Sequence, residues 1–98
     1  MNNMTLANIP IMLEKVKKED IDKQILRFGI LAELDAINLY EQMANMTENK
    51  HIKMVLLDIA KEEKEHVGEF QYLLLKLDKQ QQEELEDGKK EVQELIGE

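Results

Sequence analysis

Residues 52–77 read IKMVLLDIAKEEKEHVGEFQYLLLKL. Apolar side chains recur at Ile52, Val55, Leu56, Ile59, Ala60, Val67, Phe70, Leu73, Leu74 and Leu77. That three-and-four spacing is one face of a helix. Two residues interrupt the stripe. Ile59, Glu63 and His66 follow the i, i+4, i+7 rule, and Leu56, Glu63 and Phe70 are seven apart, so Glu63 and His66 stand in mid-stripe. A carboxylate in such a place costs several kcal/mol unless it is paired or binds metal.

The pattern upstream has the same design. From about Lys18 to Met46 the apolar positions are Ile21, Ile25, Leu26, Ile30, Ile37, Tyr40 and Ala44, and Glu33 lies in the middle of their stripe. Gly29 falls inside the pattern at a cost of about 1 kcal/mol relative to Ala; close approach of another helix is the expected gain. Residues 45–49 form a break in which Thr47 or Asn49 can cap the next helix, expected over 48–77. A break this short predicts an antiparallel hairpin. Asp78 and Gln81 have capping-box spacing and open a third, weaker unit over 79–96. Asp87-Gly88 can break or kink it, so the unit reads as a short helix or two, whose small apolar face of Val92, Leu95 and Ile96 docks on a neighbour. Residues 1–17, with Pro10, read as an irregular arm.

The fold class expected is therefore all-α: one domain over 1–98, an antiparallel two-helix hairpin plus a short C-terminal helix. A hairpin hides little of its surface, so it should dimerise into a four-helix bundle. The chain carries 21 acidic against 13 basic residues, a net charge of −8, which argues against nucleic-acid binding. It has no Cys, which removes disulfides and thiolate metal sites. No apolar run approaches the ~18 residues of a membrane span, and no leader pattern is present, so the default location is the cytoplasm.

Glu63-Lys64-Glu65-His66 is a Glu-x-x-His motif. Three residues apart on a helix, both side chains rise from one face and can grip one ion or bridge two. Glutamate is so abundant here that the motif alone is weak; the mid-stripe position of Glu33, Glu63 and His66 is what strengthens it. A carboxylate-bridged di-iron site takes one Glu from each of two helices and one Glu-x-x-His from each of two more. This chain holds half of that set. Two copies about a twofold axis supply four Glu and two His, and the four carboxylates balance two Fe2+. The bland alternative is a hairpin with a buried Glu–His pair and no metal.

The stretch Ile30 to Glu41 with Lys61 to His66 resembles the encapsulated ferritins, two-helix ferritin-like proteins held inside encapsulin shells as cargo or fused to the shell protein. The resemblance covers roughly Lys18 to the C-terminus. It implies a ferroxidase that oxidises Fe2+ with O2 at a di-iron site formed between two subunits. It also implies a homodimer gathered into a decameric ring, an encapsulin shell as partner and a location inside that nanocompartment. By position it assigns Glu33, Glu63 and His66 as iron ligands, Tyr40 as the nearby aromatic with a catalytic role, and Asp35 as an acidic position that attracts metal on its way in. Two departures are Ala32, where some members have a further carboxylate, and Leu39, where they have Trp. Cargo members carry a docking peptide after a linker; none follows Glu98, so a piece of a fusion or a member lacking that segment is expected.

Other residues have plainer readings. Glu41 is ambiguous. His51 is expected on the surface, and Glu62, Glu65 and Glu69 on a wet face with Lys61 and Lys64. Met43, Met46 and Met54 are expected as core filler. Two rival functions stand beside the ferroxidase: a non-redox assembly module whose Glu–His pairs set register, and a di-iron peroxide reductase like rubrerythrin.

Overall fold

The structure, a computed structural model, describes residues 13–98. Most of the expected N-terminal arm lies outside the described residues. Leu13–Lys15 and Lys18–Asp20 each close a 3-10 turn, and the second runs into helix α1, Ile21–Met46. The start expected at Lys18 is thus wound more tightly for one turn before the α-helix proper, a common form of helix N-terminus.

Helix α2 spans Lys50–Leu77. Both candidate caps act, one on the other. Asn49 takes the cap position with an extended backbone, and its side-chain oxygen accepts from the N–H groups of His51 at 2.9 Å and Ile52 at 3.1 Å. Thr47 Oγ1 in turn accepts from the Asn49 N–H at 3.1 Å. Glu48 therefore stays in the loop. Helix α3, Lys79–Ile96, begins as the spacing predicts, with Asp78 accepting from the Gln81 N–H at 3.0 Å. Of the two forms left open, one helix or two, it takes the first, running unbroken through Asp87-Gly88. Glycine weakens a helix but keeps its N–H, so the hydrogen-bond ladder continues. The helix ends at Gly97, whose φ of 80° is the left-handed conformation that closes helices, with the Glu98 N–H turned back to Gln93 O at 2.8 Å.

The fold is a hairpin of α1 and α2 with α3 set at its open end. Ile37 and Ala44 of α1 and Ala60 and Leu74 of α2 form the buried core. The two alanines, Ala44 beside the loop and Ala60 further along α2, are the most deeply buried of the four. At the other end Gly29 brings the helices close, with the Phe70 ring against it. Asp78 joins the elements: one carboxylate oxygen caps α3 while the other accepts from Arg27 of α1 at 2.7 Å. Apolar positions beyond this core remain uncovered, among them Ile25, Leu31, Leu34, Val55 and Leu73. Of the methionines expected as filler, Met43 is half-buried, whereas Met46 and Met54 are exposed. A two-helix layer has no second layer to put over them. No described helix is long and apolar enough to cross a membrane.

Candidate metal centre

Glu33 comes from the middle of α1; Glu63 and His66 come from one face of α2. The antiparallel pairing brings the three together, each offering one ligand atom, with all three atoms within 4.8 Å of one another. His66 Nδ1 lies 3.3 Å from Glu33 Oε2 and 3.4 Å from Glu63 Oε2. One imidazole nitrogen thus faces two carboxylate oxygens from different helices. With its proton on Nδ1 the ring donates between them; a metal cation satisfies the same three atoms by taking the proton's place.

The donors suit a divalent metal. Two hard carboxylates and a borderline imidazole accommodate Fe2+, Mn2+ or Zn2+. Three donors from one chain leave coordination positions open. The side chains are also only partly covered: Glu33 is 21% and Glu63 18% exposed, but His66 is 46% exposed. Leu26 and Leu73, seven residues from Glu33 and His66 on their helices, line a hollow of about 340 Å³ together with Asp22, Ile25, Lys76 and Leu77. A second helical layer there would cover the hollow and the cluster together.

The remaining expected residues lie outside the cluster. Tyr40 is half-buried on α1, seven residues beyond Glu33. Asp35 is half-buried on the same helix and has a polar partner of its own. His51 is exposed beside Ile52, Val55 and Leu56. Glu41 is tied across the hairpin to Lys64 at 3.7 Å, beside the cluster. Sequence reading missed Arg27, because nothing local marks a residue whose partner lies 51 positions away. It also left Phe70 as one stripe residue among many, although its spacing of four from His66 matches that of Gly29 from Glu33.

The family model described as rubrerythrin matches residues 24–96, and with the two-helix fold this puts the chain in that family of ferritin-like helical proteins. The crystal structure of the encapsulated ferritin domain from Pyrococcus furiosus superimposes with a TM-score of 0.81 at 50% identity, covering 100% of this chain and 96% of that one. The chain belongs, within the ferritin-like proteins, to the encapsulated ferritins. It is 58% identical over 80 residues to the ferritin-like–encapsulin shell fusion protein of Pyrococcus furiosus, 82% of this chain and 23% of that protein. It is 43% identical over 56 residues to the encapsulin nanocompartment cargo protein EncC of Myxococcus xanthus, 57% of this chain and 43% of that one. The chain therefore spans less than half the length of either relative.

Proposed function

We propose that the protein is a ferroxidase whose working unit is a twofold dimer, feeding iron to storage inside an encapsulin compartment in the cytoplasm. The observation that carries this reading is one imidazole nitrogen held 3.3 and 3.4 Å from two carboxylates of facing helices, on a face left open. Fe2+ is the substrate. Glu33, Glu63 and His66 of one chain and the same three of a second hold two Fe2+ between them, and each ion gives one electron to O2. Carboxylates favour the ferric product over the ferrous substrate, while the imidazole helps hold Fe2+ until oxidation. Tyr40 lies near enough in sequence register to serve as a hydrogen-bond or electron donor to the site, and Asp35 is an acidic stop on the way in. Dimers gather into a decameric ring, and the named shell partnership of the relatives supports an encapsulin as the container.

The rubrerythrin match keeps one variant open, with peroxide in place of O2 as oxidant at the same site. The test is an anaerobic Fe2+ titration of the purified protein followed by air or H2O2. Saturation at one iron per chain and rapid ferric absorbance on admitting air are the expected result. No saturable binding would refute the reading in favour of a non-redox assembly module; fast oxidation with H2O2 and none with air would make it a peroxide reductase.

A further inference from the structure

Gly29 and Phe70 face each other across the interhelical gap, one turn from the three-residue cluster. Gly29 precedes Glu33 by four residues, and Phe70 follows His66 by four. In an antiparallel pair both steps run the same way, about 6 Å along the helix axes. A Cβ built on Gly29 would lie 3.0 Å from Phe70 Cδ2 and Cε2 and 3.2 Å from Cζ. Carbon atoms rest at ~3.5–4.0 Å. The ring thus occupies the space of the absent side chain, and the gap at this level is as narrow as a glycine allows. One turn along, the Glu33–His66 contact of 3.3 Å is already at the long end of hydrogen bonding. A few tenths of an ångström of extra separation would break it.

We propose that Gly29 and Phe70 are positioning residues for the cation site: the phenyl ring seated on Gly29 sets the α1–α2 gap at which Glu33 and His66 share one cation. This rests on the metal reading of the cluster and extends it to two residues with no donor atom. Gly68 provides the contrast. It lies on α2 two residues from His66, yet a Cβ there meets nothing within 4 Å. Glycine at 68 does not set the gap; glycine at 29 does.

The probe is Co2+, whose visible absorption reports ligation, titrated into the full chain. Gly29→Ala is expected to weaken Co2+ binding about 10-fold, as loss of a supporting contact around metal ligands does, with helical circular dichroism unchanged. Gly29→Ala/Phe70→Leu trims the ring the new methyl meets and should recover most of the loss. Gly68→Ala should stay within about twofold of wild type, as an exposed substitution does. A metal-free crystal structure of Gly29→Ala should place Glu33 and His66 beyond hydrogen-bond range. Wild-type affinity in Gly29→Ala with the contact still at 3.3 Å would overturn the proposal, as would a double variant no tighter than Gly29→Ala. If Gly29→Ala does not fold, Phe70→Leu decides: a several-fold loss in a folded protein supports the proposal, and wild-type affinity overturns it. Should the wild type bind neither Co2+ nor Fe2+, the metal reading falls, and the metal-free Glu33–His66 distance still decides the role of Gly29.

Discussion

Asp78 joins three helices: its backbone N–H ends α2 on Leu74 O, and its carboxylate caps α3 and holds Arg27 of α1. Its acidity records this. The Gln81 N–H it accepts from is the main cause holding it below the ordinary 3.8; partial desolvation works the other way, and the Arg27 hydrogen bond and the charges of Lys23 and Arg27 add to the lowering. A depressed folded-state value means a stabilising contribution that is full above the unfolded value and lost as pH falls through the folded one. The loss therefore belongs below about pH 3.8, at the root of α3. Asp78→Asn keeps a capping oxygen but no charge. Its thermal stability is expected to fall less steeply than wild type between about pH 4 and pH 2; parallel acid limbs in thermal melts would contradict the assignment. At the candidate site, Glu63→Ala should abolish saturable Fe2+ binding, because it removes one of the two carboxylates that face His66. His66→Ala should keep weaker binding but lose rapid oxidation. The metal-free melting temperature should hold or rise in Glu63→Ala, since a half-buried charge has gone. Stopped-flow oxidation at the wild-type rate in Glu63→Ala would sink the ligand assignment.

Among the elements, the hairpin carries two cross-helix ion pairs of reversed polarity. Arg27 of α1 meets Asp78, while Glu41 of α1 meets Lys64, fourteen positions away on each helix. Sliding one helix by that distance would set Arg27 against Lys64. Exposed pairs are worth only ~0.2–1 kcal/mol each, so they select the register rather than hold the helices together. The core of Ile37, Ala44, Ala60 and Leu74 and the Gly29–Phe70 contact do the holding. Helix α3 stands apart from this packing. Gly88 lies in its middle with nothing within 4 Å of a built Cβ. Gly88→Ala should therefore stabilise α3 by about 1 kcal/mol, read as slower amide hydrogen exchange over 79–96. Faster exchange there would mean that the Gly88 face is packed against something. Sequence reading left one helix or two open at Asp87-Gly88, because Asp-Gly marks turns in general; here the ladder of N–H bonds and the caps at Asp78 and Gly97 outweigh one glycine.

The whole chain is larger than a self-sufficient fold of its mass. It exposes 8151 Å², whereas a folded monomer of 11.5 kDa exposes roughly 5,800 Å². Its radius of gyration is 16.9 Å, against roughly 13 Å for a compact chain of this length. The difference, about 2,350 Å² per chain, exceeds the ~800 Å² per partner of a standard interface and falls in the range of large obligate ones. Folding and association are thus expected to be one equilibrium, so the melting temperature should rise with protein concentration and rise further with Fe2+. Sedimentation should show a dimer or larger species that Fe2+ strengthens. A monomer that binds two Fe2+ and melts at a temperature independent of concentration would exclude the shared site.

The stripes, breaks and caps of α1 and α2 were legible in the sequence because they depend on neighbours three and four residues away. So was the cluster of Glu33, Glu63 and His66, since charge inside an apolar stripe needs a partner. Tertiary structure alone decided what depends on distance across the gap: the Arg27–Asp78 tie, the exposure of Met46 and Met54, and the seat of Phe70 on Gly29. Periodicity tells which side chains share a face. Only packing in three dimensions sets how near two faces come, and a cation held between helices depends on that separation to a few tenths of an ångström.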